Sequence, residues 1–97
     1  MSVLRDIEAW YSAQCNGDWE HQYGVTIDTL DNPGWTVRID LRHTQLEGRA
    51  FTRMVAERTE TDWLNCWVED GRFNGAGGAQ NLHEILSVFL SWGAPQP

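Results

Sequence analysis

The chain has 97 residues, of which 14 are acidic and 7 are basic, so its net charge is −7. This length suits one domain spanning residues 1–97, and so negative a surface disfavours nucleic acids and anionic membranes, which both require positive charge. A hydrophobic content of 41%, including six Trp, is enough to form a core without a metal or disulfides. We therefore expect one small folded domain whose negative charge either attracts a cationic partner or only keeps the protein soluble.

The cysteines and the N-terminal residues indicate where the protein acts. Cys15 and Cys66 could form one disulfide, but the N-terminal residues lack the charged and then apolar segments of a secretory signal. No apolar run approaches the roughly 20 residues that span a bilayer. We therefore expect a cytoplasmic protein with two free thiols.

The first predicted element is a helix that Ser2 caps and that ends before Gly17, which suits a left-handed stop. One face of this helix carries residues at helical spacing, namely Val3, Ile7, Trp10 and Gln14.

A first β-hairpin follows, because apolar and polar residues alternate on both sides of a Pro-Gly turn. We expect a type II turn in which Gly34 takes positive φ. The expected register pairs Thr29 with Val37 and places Asp28 opposite Arg38.

A second hairpin is predicted from residues 50–58 and 63–70, with Val55 paired to Cys66. This register gives one face Phe51, Val55, Leu64, Cys66 and Val68. The opposite face then carries Met54, Trp63 and Trp67.

Glycines predict a loop over residues 73–78, and Asn81 then begins a last helix in a capping box with Glu84. Its apolar face contains Leu82, Ile85, Leu86, Phe89 and Trp92. The predicted fold is an α+β two-layer sandwich. A four-stranded antiparallel sheet of two hairpins carries an N-terminal and a C-terminal helix on one face, and its other face is open.

No residue pattern is typical of a metal or cofactor site. His and Cys lack the spacing of metal motifs, and the glycines before the last helix lack the remaining residues of a nucleotide loop. Cys15 or Cys66 could meet a histidine in space and act as a nucleophile. The position of Cys66 within a strand and of Cys15 near a helix C-terminus both favour an inert thiol.

Acidic and aromatic residues are the candidates for a partner-binding surface, although the carboxylates can also be solvated charges. The helical or strand spacing of Trp10, Trp35 and Trp92 predicts core positions, whereas the remaining Trp residues suit an interface. The expected binding residues on the sheet face away from the helices are Asp28, Asp40, Trp63 and Trp67. Those expected at its edge are Asp18, Trp19, Glu20, Asp31 and Asn32.

Several short motifs are shared with a known family. They are Cys15, the runs at residues 17–21, 23–24 and 29–35, the pair Trp63 and Cys66, Phe73 with the following Gly75, Gly77 and Gly78, and the closing residues Leu82, Ile85 and Leu86. Together they resemble the immunity protein 53 family of bacterial polymorphic toxin systems over residues 10–92. The resemblance implies a cytoplasmic protein that binds a cognate toxin domain and protects the producing cell. It implies no catalytic residues.

The favoured hypothesis is a non-enzymatic immunity protein whose acidic surface steers a basic toxin, such as a nuclease, into a one-to-one complex. One alternative is a small thiol-dependent enzyme that uses Cys15 or Cys66. Another is a structural homodimer that buries Trp63 and Trp67 between two copies.

Overall fold

The computed structural model describes residues 2–94, which form one antiparallel sheet of five strands with helices at both ends of the chain. The helices are α1 (Val3–Gln14), α2 (Trp19–Gln22) and α3 (Leu82–Gly93). The strands are β1 (Val25–Leu30), β2 (Gly34–Asp40), β3 (Met54–Glu57), β4 (Trp63–Glu69) and β5 (Arg72–Gly77). Their order across the sheet is β1-β2-β5-β4-β3. The predicted α+β architecture is confirmed, with one strand more than expected.

The core lies between one face of the sheet and α3, which packs across β2, β5 and β4. Alternation along each strand turns every second side chain toward this helix. The buried side chains include Val37, Ile39, Leu64, Cys66, Phe73, Ile85, Leu86 and Phe89. Helix α1 packs against α3 and adds Ile7 to the same cluster. The predicted cap of α1 is confirmed, because the backbone N–H of Arg5 donates to Ser2 Oγ at 3.3 Å.

The segment predicted as a Gly-rich loop is instead β5, which lies in the centre of the sheet between β2 and β4. Its glycines serve close packing rather than a turn. A Cβ at Gly75 would collide with Ile85 of α3, and one at Gly77 would come within 2.9 Å of the carbonyl oxygen of Trp63. Because glycine has no side chain, α3 and β4 can approach β5 closely. The same glycines interrupt the alternation of apolar and polar residues by which a strand is predicted from sequence.

The first hairpin has the predicted faces but a register shifted by two residues. Ile27 pairs with Val37, and Asp28 lies opposite Thr36 instead of Arg38. The turn occupies residues 31–33, and Gly34 begins β2 without the positive φ expected of a type II turn. A Cβ at Gly34 would collide with the carbonyl oxygen of Gly77, so close approach between strands explains this glycine.

The second hairpin differs from the prediction by one residue on β3 only. Met54 pairs with Cys66 and Val55 with Asn65, which places Met54 on the helix side and Val55 on the opposite face. The expected positions of Val55 and Met54 are therefore wrong, while Trp63 and Trp67 keep their predicted face. Strand β3 lies at the edge of the sheet, and 54% of Val55 is exposed. Burial therefore constrains the register of this strand weakly.

Asn81 begins α3 as predicted, but it does not form a capping box. Its side chain makes no capping bond to the helix backbone. Asn81 Nδ2 donates to Asp62 Oδ1 at 2.9 Å and to Glu84 Oε1 at 3.2 Å, and Oδ1 accepts from the backbone N–H of Trp63 at 3.4 Å. The buried amide thus joins the start of α3 to the β3–β4 turn.

Candidate functional site

The sheet face away from α3 carries outward-pointing side chains from all five strands. We call it the open sheet face. Its outward-facing residues are Thr26, Asp28, Leu30, Thr36, Arg38, Asp40, Val55, Glu57, Trp63, Asn65, Trp67, Glu69, Arg72, Asn74 and Ala76. None of these residues is fully buried, whereas the side chains that point the other way from β2, β4 and β5 form the core. An exposed sheet face of this kind is available to a partner.

A row of polar and aromatic residues crosses the centre of the open sheet face. Register places Arg38 of β2 beside Asn74 of β5, and Asn74 beside Trp67 of β4. The guanidinium of Arg53, just before β3, lies 5.2 Å from the centre of the Trp67 ring and adds a cation–π contact. The centre of the face is therefore aromatic and cationic.

The carboxylates of the open sheet face lie around this centre. Asp28 and Glu57 belong to the two edge strands, while Asp40 and Glu69 lie at one end of the central strands. Asp40 is not a free charge, because Oδ1 lies 3.0 Å from Arg72 Nε and Oδ2 accepts the backbone N–H of Gly24 at 3.0 Å. Within residues 2–94, the carboxylates of this face without an ion pair are Asp28, Glu57 and Glu69, so unpaired negative charge lies at its margin.

Of the predicted binding residues, Asp28, Asp40, Trp63 and Trp67 lie on the open sheet face as expected. Asp31 and Asn32 are exposed in the β1–β2 turn. The structure thus brings the first four residues to one surface, and their role in binding a partner stays a prediction.

Trp19 is the exception, because its expected surface position is wrong. Only 3% of the residue is exposed, and Nε1 donates to the carbonyl oxygen of Arg42 at 2.8 Å. The ring packs edge-on against Trp10 and Tyr11 of α1. The sequence around Trp19, which stands between Asp18 and Glu20, does not reveal that the short helix α2 directs this side chain into the core.

The two predicted binding residues beside Trp19 have different environments. Glu20 accepts hydrogen bonds from the backbone N–H groups of Asn16 and Gly17, at 2.9 and 2.8 Å. Backbone hydrogen bonds, from Glu20 itself and then from Asn16, hold the pKa of its carboxyl below the usual value. Asp18 is exposed and lines an open depression of about 350 Å³ beside Trp19.

Neither cysteine has the surroundings of an activated nucleophile. Cys66 is buried in the sheet, and burial raises the pKa of its thiol to about 11. Cys15 Sγ donates to the carbonyl oxygen of Tyr11 at 3.4 Å. A thiolate, rather than a thiol, is the reactive species, so Cys66 is poorly suited to catalysis.

Two further features concern ligands and membranes. Among residues 2–94, no three His, Cys, Asp or Glu side chains converge in a way that could hold a metal ion. Within the same described range, none of the helices has the length and apolar character required of a membrane span.

Sequence reasoning misses the combination of Arg38, Asn74 and Arg53 around Trp67. The glycines predict a loop that contains Asn74, which hides its position between Arg38 and Trp67. One signal is nevertheless present: residues 72–77 alternate outward polar or small side chains with inward Phe or Gly, which is the period of a strand.

Comparison with known proteins supplies the identity of the family. No curated protein and no solved structure matches the chain. Residues 4–94, nearly the whole chain, match immunity protein 53. This match agrees with the motif resemblance over residues 10–92, and the chain therefore belongs to the immunity protein 53 family.

Proposed function

We propose that this immunity protein neutralises a cognate toxin domain by stoichiometric binding through the open sheet face, without catalysis. The observation that carries the proposal is an uncovered face of five strands with Trp63 and Trp67 half-exposed on it. Tryptophan and arginine are among the residues most enriched at interface positions that dominate binding energy. The polar and acidic margin matches the usual rim of such an interface.

The charge of the chain supports a basic toxin, such as a nuclease. A net charge of −7 accelerates encounter with a cationic partner and slows encounter with an anionic one. Asp28, at the margin of the face, and Asp31 and Asn32, in the adjoining turn, are the proposed edge contacts. We further propose that the protein acts in the cytoplasm of the producing cell, where a newly made toxin would first threaten it.

The test is to mix the purified protein with the toxin domain encoded beside its gene and to measure binding by calorimetry. We expect a one-to-one complex, and we expect Trp67→Ala to weaken it by about 30-fold or more. Leu4→Ala is the matched control, because Leu4 is exposed on α1, away from the sheet. Unchanged affinity of the Trp67 variant would remove the open sheet face from the interface.

Sedimentation of the free protein tests the homodimer alternative in the same preparation. A stable dimer whose dissociation depends on Trp63 and Trp67 would contradict the proposal, because that face would already be covered. A monomer is the result expected if the face is reserved for the toxin.

The thiol-dependent alternative predicts that protection requires a cysteine. We expect the double variant Cys15→Ser, Cys66→Ala to protect cells as well as the native protein does. Alanine is preferred at position 66 because serine would bury a hydroxyl group in the core. Protection lost in a variant that still folds would favour chemistry over binding.

A further inference from the structure

A shallow depression in the centre of the open sheet face has the chemistry of an anion site, although the protein is acidic. We call it the arginine notch. It has a volume of about 240 Å³, which is smaller than most small-molecule pockets. Its lining residues are Thr36, Val37, Arg38, Trp67, Asn74, Gly75 and Ala76. The size suits one or two side chains of a partner protein.

The sheet register explains why the depression forms there. Arg38, Asn74 and Trp67 stand side by side on three adjacent strands, so the two large side chains are about 9–10 Å apart at their backbones. Next to Asn74 along β5, Gly75 and Ala76 supply a low floor. The notch is therefore bounded by a guanidinium on one side and an indole on the other.

Arg38 differs from the other arginines on the open sheet face because, among residues 2–94, its guanidinium makes neither an ion pair nor a side-chain hydrogen bond. Arg72 pairs with Asp40 at 3.0 Å, and Arg53 donates to Asn65 Oδ1 at 3.2 Å while it covers Trp67. Among residues 2–94, no carboxylate lies within 4.0 Å of the Arg38 guanidinium. Its donors therefore remain available at the edge of the notch.

Asn74 supplies a second hydrogen-bond donor beside the Arg38 guanidinium. Asn74 Nδ2 donates to the carbonyl oxygen of Arg72 at 3.1 Å and keeps a second hydrogen free. Trp67 Nε1 is already used by Glu69, at 3.3 Å, so the ring offers mainly its apolar surface. A planar carboxylate matches the fork of a guanidinium and can receive two parallel hydrogen bonds from it.

We propose that the arginine notch binds an Asp or Glu side chain of the toxin, an inference that rests on the proposed function. Arg38 donates to the carboxylate, Asn74 adds a second donor, and Trp67 packs against the aliphatic part of the side chain. The long-range field of the acidic protein attracts a basic toxin, whereas this single contact fixes the register in which the two surfaces meet. The protein as a whole is thus negative, whereas the group that makes the contact in the notch is positive.

The experiment compares Arg38→Gln with Arg5→Gln in binding to the toxin domain. Both changes remove one positive charge, but Arg5 lies on α1 and has no ion pair among the described residues. We expect Arg38→Gln to weaken binding by about 10- to 100-fold, as for the loss of a charged hydrogen bond. We expect Arg5→Gln to change the affinity less than about threefold. Both arginines are exposed, so the thermal midpoints of the variants should stay near that of the native protein.

A double-mutant cycle then identifies the bound group. Each Asp and Glu of the toxin is changed to its amide and measured against native and Arg38→Gln protein. Changing one toxin carboxylate should weaken binding to the native protein yet have little further effect on the variant. Absence of any such coupled carboxylate would overturn the proposal.

Trp67→Ala separates failure of the notch from failure of the proposed function. If Arg38→Gln binds within threefold of the native protein while Trp67→Ala binds poorly, the open sheet face stands and the notch is overturned. If neither change weakens a measurable complex, both the notch and the face are wrong. If no complex forms at all, the proposed function itself fails.

Discussion

Gly75 of β5 lies directly beneath Ile85 of α3, and a methyl group on this glycine would occupy the space of the isoleucine side chain. The contact brings the last helix close to the centre of the sheet. It also explains how a strand can contain so many glycines, because each absent side chain permits closer packing of a neighbour. Local propensity and tertiary packing therefore make opposite demands at this position.

Gly75→Ala should lower the free energy of unfolding by about 1–3 kcal/mol, because an overpacked core must shift its side chains or backbone. Strand propensity alone predicts the opposite sign, since glycine weakens a strand. Gly24→Ala is the control, because a methyl group on Gly24 would meet no atom within 4 Å and the φ of this glycine is not positive. We expect that control to stay within about 0.5 kcal/mol of the native protein in urea unfolding. A Gly75 variant as stable as the native protein would contradict the packing argument.

Trp19→Phe should destabilise the fold, because it removes the hydrogen bond to the carbonyl oxygen of Arg42 and leaves a cavity beside α1. We expect a loss of about 2–4 kcal/mol in the free energy of unfolding. Trp67→Phe makes the same chemical change on the half-exposed open sheet face and should cost less than about 1 kcal/mol. Equal losses in the two variants would show that burial of Trp19 is not what matters.

Arg58 links the β3–β4 turn to α3, and its contribution to stability should depend on pH. Its guanidinium donates to Asp62 at 2.9 Å and also pairs with Glu84. The Arg58 hydrogen bonds lower the pKa of Asp62 and of Glu84, and Asn81 adds to both effects. A carboxyl group whose pKa is lower in the folded than in the unfolded protein stabilises the fold at pH values above its unfolded pKa of about 4. This stabilisation is lost as the pH falls through the pKa of the folded state.

Arg58→Gln should therefore have a lower thermal midpoint than the native protein at pH 7, and the difference should shrink as the pH falls below the unfolded pKa of about 4. The effect at neutral pH should be modest, because the groups are exposed and salt screens them. Arg5→Gln, which breaks no ion pair within residues 2–94, should show no such pH-dependent difference. A difference that stays constant from pH 7 to pH 3 would assign the loss to packing rather than charge.

Asp28→Arg should slow association with the toxin and weaken its dependence on salt, with little effect on dissociation. Asp28 is exposed on the edge strand β1 and has no ion pair among the described residues. Asp28 is a better test than Asp40, whose carboxylate holds Arg72 and Gly24 in place. Glu8→Arg changes the net charge equally but lies on α1. Stopped-flow rates that fall equally for both variants would assign steering to net charge rather than to the face.

The faces of the strands could be predicted from alternation, but the pairing of particular residues could not. A shift of two residues in the first hairpin preserves every face, so the pattern of apolar residues does not distinguish Thr29 from Ile27 as the partner of Val37. On β3, exposure of Val55 makes burial too weak a constraint to determine the register. In the candidate site, the positions of Asp28, Asp40, Trp63 and Trp67 on one face were predictable for the same reason. The burial of Trp19 was not.

By itself, the sequence determined the α+β class, the two terminal helices, the outward faces of β2 and β4 and the excess of negative charge, because each follows from local periodicity or composition. Only the tertiary structure decided that residues 72–77 form the central strand. Glycines have no side chains, so they do not contribute to the alternation of apolar and polar residues that predicts a strand. This strand is specified instead by hydrogen bonding to β2 and β4 and by close packing against α3. That strand inserts Asn74 between Arg38 and Trp67, and the arginine notch exists because of it.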